Sequence, residues 1–364
     1  MNKTMMRVVG VILVIATFLL ISECAKKEKP ILGSGDAASA VYVAPGDYDE
    51  FYAFTSGGFS GQLGVYGLPS GRLFREIPVF SVDPENGYGF NEETKDMLKT
   101  SFGYIPWDDS HHPELSQTDG VTDGRWIFIN GNNTPRIARI DLKNFETAEI
   151  IEIPNSGGNH GSPFITQNSE YVVASTRFSV PIPQADVPID SYKENFGGTI
   201  SFIKVNPDDG HMNIEFQIIV PGYDYDLASG GKGPSHGWAF FTCYNTEQAN
   251  TLLEVNASKN DKDFIAAVNW KLAEKYLAEG KGKVRPGEHY TNRMNHTTHS
   301  AVSTRNKTVV TLDPADCPGL IYYMPTPKSP HGVDVDPSGE YIVGGGKLAA
   351  VVSVHSFSKM LKAI

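Results

Sequence analysis

Thr122-Asp123-Gly124-Arg125-Trp126-Ile127-Phe128-Ile129 is a polar turn that runs into a short β-rich stretch carrying an aromatic residue. Gln167-Asn168-Ser169-Glu170-Tyr171-Val172-Val173-Ala174 repeats the pattern, and so does Asp336-Pro337-Ser338-Gly339-Glu340-Tyr341-Ile342-Val343. Ser235-His236-Gly237-Trp238-Ala239-Phe240-Phe241 is a looser copy. Each copy is followed by another strand-like run, such as 136–142 or 349–355. A recurring strand, turn and strand with an aromatic marker reads as the blade of a β-propeller. The markers fall at 126, 171, 238 and 341, so the spacings are 45, 67 and 103. The first spacing fits a bare blade of about 40–50 residues, and the others require insertions.

Working outward, 51–55, 62–66 and 72–80 read as earlier strands. Inside the longest spacing, 270–279 has apolar residues at helical intervals, and Gly280 and Gly282 stop it. The stretch 285–305 reads as polar and irregular. The fold class expected is therefore all-β, a β-propeller of about four and a half blades beginning near Val41. No closing strand follows 358–364. Because an unclosed propeller leaves bare sheet edges, the chain is expected to be a C-terminally truncated piece of a longer protein.

Composition narrows the function classes. The 364 residues include 31 basic and 42 acidic ones, a net charge of −11, which argues against nucleic acid as a partner. Gly (36) and Pro (23) favour turns over long helices. A hydrophobic fraction of 40% with 20% charged residues is that of a globular protein. Lys3 and Arg7 precede an apolar run over 8–21, too short for the roughly 20 residues of a membrane span and suited to an export signal. Cys24 follows, and two readings stay open: a lipoprotein signal with a lipid anchor at Cys24, or simple cleavage nearby. The division expected is 1–24 export signal, 25–40 tether and 41–364 partial propeller, in a periplasmic protein. Cys243 and Cys317 are expected to be buried free thiols.

The histidines follow the repeat. His160 lies 11 residues before Tyr171, His331 lies 10 before Tyr341, and His111 and His112 lie upstream of Trp126. Equivalent positions in successive blades are related by rotation about the axis, so if one faces the axis, all do. Converging imidazoles would suit Zn, Cu, Fe or Ni. Adjacent residues on a regular strand point to opposite faces, so the His111-His112 pair, with Pro113 behind it, favours an irregular strand entrance and a multinuclear site. The alternative is a set of scattered histidines; His211, His236, His289, His296, His299 and His355 are read that way.

Asp108-Asp109-Ser110-His111-His112-Pro113-Glu114-Leu115-Ser116 resembles the double-histidine motif of the nitrous-oxide reductases. The same resemblance runs through Thr118-Asp119-Gly120 to Asn130, then Arg136-Ile137-Ala138-Arg139-Ile140, Cys243-Tyr244-Asn245-Thr246-Glu247 and Pro330-His331-Gly332, in order. A general-secretion signal makes the chain resemble the Sec-exported branch. The resemblance implies a seven-bladed propeller holding a four-copper, sulfide-bridged cluster on seven histidines, followed by a cupredoxin domain with a dinuclear copper centre. The matching copper ligands are His111, His112, His160 and His331. The other three histidines and the cupredoxin domain have no counterpart here, in keeping with the expected truncation.

The family also holds calcium. Tyr244 and Glu247 match two of its ligands, and Asp263 a third, with Asp261 as the competing choice. Ser329 stands where the family commonly has Asn. The reaction implied is N2O plus two electrons and two protons giving N2 and water, the last step of denitrification. Electrons would come from a c-type cytochrome or similar donor through the cupredoxin domain of a homodimer, so the chain alone is expected not to turn over. Asp108, Asp109 and Glu114 are the nearby carboxylates that could fix imidazole tautomers or relay protons. The rival readings are a non-enzymatic exported binding propeller, and a hydrolase using Asp109 and His111 as acid and base.

Overall fold

The computed structural model describes residues 37–161, 163–183, 185–244 and 263–364. Almost all of the expected export signal and tether therefore lies outside the described residues. The described residues fall into two compact units, those of Met1–Ala53 with Gly67–Arg72 and those of Phe54–Tyr66 with Leu73–Ile364. In the smaller unit the Asp49 carboxylate accepts from the Ser70 amide (2.8 Å), the Ser70 hydroxyl (2.9 Å) and the Arg72 guanidinium (2.8 Å).

The larger unit carries four successive antiparallel blades. The first has strands Glu114–Thr118, Val121–Gly131, Arg136–Asp141 and Glu146–Glu152. The second has Phe164–Ile165, Tyr171–Ser175, Phe196–Val205 and Met212–Val220. Asp224–Gly230, Trp238–Tyr244, Phe264–Asn269 and Ile321–Pro325 form the third. Pro330–Val335, Tyr341–Gly346 and Val352–Ser356 form the fourth. Ahead of them Gln62–Leu68 pairs with Leu73–Pro78, with Leu63 opposite Ile77. The chain is thus an all-β protein built as a β-propeller. Each aromatic marker sits on the second strand of its blade.

Alternation explains why those second strands are so apolar. Successive side chains on a strand point to opposite faces, and each inner blade is covered on both. Ile127 and Ile129 pack with Leu63, Val65 and Ile77 on one side. Trp126 and Phe128, on the other, meet Ile165, Val172 and Ala174 of the second blade. Tyr171 and Val173 then face Ala239, Phe241 and Cys243 of the third, while Trp238 and Phe240 face Val333, Val335 and Ile342 of the fourth. Each fully buried large aliphatic or aromatic side chain contributes about 1.5–3 kcal/mol. In the last blade Tyr341, Val352 and Val354 remain exposed.

The helix Trp270–Ala278 forms where its periodicity places it, with the Asn269 side chain accepting from the Leu272 amide and Gly280 at φ 77° ending it. The expectation for 285–305 is corrected: this stretch belongs to a long hairpin, Lys283–Asn295 paired with Ser300–Leu312. The hairpin bridges two blades, with Thr291 opposite Ile151 of the first and Thr311 alongside Gln217 of the second. Backbone pairing on both flanks holds it, so its polar side chains conceal a strand pattern that an apolar face would have revealed. The last strand begins at Val352 rather than near 349. Cys243 and Cys317 are buried free thiols. Among the described residues no helix is long and apolar enough to cross a membrane.

His289 is buried in this hairpin, its Nδ1 lying 3.2 Å from the Gly287 carbonyl oxygen. Burial holds its pKa below the ordinary histidine value. The unfolded chain takes up a proton at the ordinary value, near 6.5, and the folded ring does so only at lower pH. Stability is therefore complete above that value and is lost as pH falls below it. Denaturant unfolding at pH 7.5 and 5.5 is expected to show this loss, and His289→Gln should reduce the difference.

Candidate metal centre

The first strands of the four blades lie side by side around a common hub. His111 and His112 enter the first of them just before Glu114, and neither residue is on a regular strand. His160 precedes Phe164–Ile165 by four residues, and His331 lies within Pro330–Val335. The four rings meet there. Ring centroids are 4.5 Å apart for His111 and His112, 4.9 Å for His111 and His160, 5.7 Å for His112 and His160, and 6.2 Å for His160 and His331. His111, His112 and His160 each offer a nitrogen within 4.8 Å of the others. His331 stands outside that tight trio and is 39% exposed at its side chain.

The third blade supplies a carboxylate where the others supply histidine. Asp226 is fully buried, with Oδ1 2.8 Å from His160 Nδ1 and Oδ2 3.7 Å from His331 Nε2. The shorter approach lies off the line of a hydrogen bond, so the contact is electrostatic. Asp226 lies 12 residues before Trp238, close to the 11 and 10 residues by which His160 and His331 precede the markers of their own blades. Sequence reasoning passed over it by following histidine alone; the repeat phase was the available signal.

The carboxylates named from sequence separate into distinct roles. Asp109 reaches the His111 ring, Oδ1 to Nδ1 3.4 Å, and its Oδ2 accepts from Asn132 Nδ2 at 3.0 Å. Asp108 instead accepts from the amides of Asp109 (2.8 Å), Asn133 (3.0 Å) and Thr134 (2.9 Å), and faces Arg136 at 3.7 Å. It shapes the turn beside the site. Glu114 makes no hydrogen bond to an imidazole among the described residues. It lines a polar cavity of about 440 Å³ with Gln117, Lys232 and Asp334, where burial, partly offset by Lys232, pushes its pKa up to about 7.

Close approach needs glycine beside His160 but not beside His331. A Cβ on Gly161, next to His160, would overlap the Asp226 backbone carbonyl, whereas Gly332, next to His331, has only Leu227 at 3.9 Å. Ser329 holds φ 52°, in the left-handed region. Asn tolerates that region better than most residues, serine included. The Ser329 amide donates to Asp263 Oδ2 at 2.7 Å, so buried Asp263 steadies the loop that presents His331. Tyr244 ends its strand opposite Asp224. Glu247 and Asp261 lie outside the described residues.

The donor set fits a metal. His111 Nε2 and His160 Nε2 are 3.2 Å apart, while the Nδ1 of each ring faces a carboxylate. With protons on both Nδ1 atoms, two lone pairs would point at each other, an arrangement a cation relieves. His112 Nε2 is buried and has no hydrogen-bond partner among the described residues. Burial, reinforced by the neighbouring His111 and His160 rings, pushes the His112 pKa down to about 4. The ring therefore stays neutral near pH 7, the form that binds metals.

Fold and site together define a β-propeller whose hub gathers imidazoles from several blades. The relatives are specific. The chain is 32% identical to the nitrous-oxide reductase of Pseudomonas fluorescens over 327 residues, 89% of this chain and 47% of that protein. It is 30% identical to that of Stutzerimonas stutzeri, with the same coverage, and 29% identical to that of Cupriavidus necator over 345 residues, 89% of this chain and 48% of that protein. The chain thus resembles the nitrous-oxide reductases along most of its length, and it spans about half the length of the curated relatives it matches. No family model matches it. Solved structures with distant overlaps include Kuenenia stuttgartiensis hydrazine synthase (TM-score 0.39, 8% identity, 86% of this chain and 75% of that one) and the Dos1 propeller (0.37, 10%, 82% and 68%). Strand register and blade packing, rather than these overlaps, define the fold.

Proposed function

We propose that the chain is the histidine-bearing propeller portion of a nitrous-oxide reductase, converting N2O, two electrons and two protons to N2 and water. The observation that carries this reading is the meeting of three imidazole nitrogens from two blades within 4.8 Å, in a chain whose curated relatives bear that enzyme name. His111, His112 and His160 would hold copper, and His331 would join them from the fourth blade. Bound copper would supply a soft, redox-active centre able to bind N2O and pass it electrons. The chain's own part is to hold neutral imidazoles in place. Asp109 and Asp226 face the Nδ1 atoms of His111 and His160, which favours the proton there and leaves Nε2 free.

The four-copper, sulfide-bridged form of the centre belongs to the same proposal. So does calcium on Tyr244, Glu247 and Asp263. Electron delivery from a c-type cytochrome, a homodimeric whole enzyme and periplasmic residence, with or without a lipid anchor at Cys24, complete the reading. Turnover would need electrons delivered through a further domain.

The test is metal content. The chain, expressed in a denitrifying host with copper and purified through gel filtration, is expected to retain copper with imidazole nitrogen couplings in its electron paramagnetic resonance spectrum. A preparation free of copper under those conditions would favour the non-enzymatic binding propeller.

A further inference from the structure

Asn130 lies at the end of the second strand of the first blade and is fully buried. It touches no imidazole nitrogen, yet it holds the backbone of all three clustered histidines. Its carbonyl oxygen accepts from the His111 amide at 3.2 Å. Its side-chain oxygen accepts from the His112 amide at 2.7 Å. Its side-chain nitrogen donates to the His160 carbonyl at 2.9 Å, and also to the Asn159 carbonyl. An amide is the side chain of this length with an acceptor on one arm and a donor on the other. The amide orientation is set by these partners: reversed, it would place its nitrogen against the His112 N–H and its oxygen against two carbonyls.

The two histidine loops belong to different blades and, among the described residues, share no strand pairing at this point, so neither blade's own ladder fixes the distance between them. We infer that Asn130 is a positioning residue that sets the spacing of the three-imidazole site across the blade boundary before metal arrives. The inference rests on the metal-centre reading above. Side chains behind metal ligands typically change affinity by about 10–100-fold when replaced, and a residue that spans two ligand-bearing loops acts on both at once.

Asn130→Asp separates the two arms. The carboxylate still accepts from His112, but it cannot donate to His160 and sets a charged oxygen against the His160 and Asn159 carbonyls. Titration of the metal-free chain with Cu(II) alone, followed by electron paramagnetic resonance, is the measurement. The unaltered chain is expected to show three nitrogen couplings. Asn130→Asp should bind copper about 10–100-fold more weakly and show two couplings, since His111 and His112 stay while His160 drifts away. Ile127→Val, in the same strand, serves as the stability control and should keep three couplings.

An Asn130→Asp chain with unchanged affinity and three couplings would overturn the inference, as would the same loss in Ile127→Val. If Asn130→Asp does not fold, Asn130→Ser, uncharged and too short for either arm, takes its place: it should bind copper more weakly and show fewer than three couplings, and unchanged affinity with three couplings would overturn the inference. Absence of any histidine-bound copper signal in the unaltered chain would overturn the metal-centre reading itself, and this inference with it.

Discussion

Replacing His160 with alanine is expected to lower copper affinity by more than about 100-fold, beyond the range seen when only an outer partner of a ligand is lost. His160 is the hub of the arrangement: its ring neighbours His111, His112 and His331, and its Nδ1 faces Asp226. The substitution removes a donor and also leaves the fully buried Asp226 without its nearest imidazole. His331→Ala should cost clearly less in this chain, because that ring lies outside the trio and is partly exposed. Copper titration of the two variants side by side measures the ranking. Equal losses would mean that His331 belongs to the same tight ligand set, and no loss in His160→Ala would remove the basis of the metal centre.

The second large effect is on folding. Arg136 is 1% exposed. Its guanidinium donates to Thr134 Oγ1 (2.7 Å) and to the carbonyls of Ile105 and Trp107 (3.1 Å each), faces Asp108 at 3.7 Å and lies over the Phe80 ring. These contacts hold the segment that leads into Asp109 and His111. Arg136→Ala would leave the buried Asp108 carboxylate with its amide donors but without its countercharge, and would take one donor from each of two carbonyls. Breaking a buried ion pair from one side typically costs about 3–5 kcal/mol, so a comparable loss is expected in denaturant unfolding. Copper binding should weaken in parallel, since the His111 backbone follows this segment. Arg136→Lys should recover little, because an ammonium cannot reproduce the planar fork that meets two carbonyls and Thr134 together.

How much of this was legible follows from the range of each signal. Trp126, Tyr171, Trp238 and Tyr341 could be placed on equivalent strands because turn chemistry and strand period are local properties of the chain. The hairpin Lys283–Leu312 was not legible. Its strands are held by backbone pairing to two blades, and its polar side chains carry no periodic apolar face. The interleaving of Ile127 and Ile129 with one neighbour, and of Trp126 and Phe128 with another, shows the same division: alternation is written in the strand, and its partners are not.

At the hub the division is sharper. The sequence alone determined the repeat, its all-β character and the place of His111, His112, His160 and His331 ahead of their marked strands at about the same phase, since each is a matter of spacing along one chain. Tertiary structure alone decided which rings come together, that Asp226 takes the third blade's place, that Asp109 rather than Asp108 faces an imidazole, and that Asn130 ties the loops. The physical reason is that a rotational phase tells a residue which way to face, whereas distances between blades are set by packing and by buried polar groups finding partners far away in the chain.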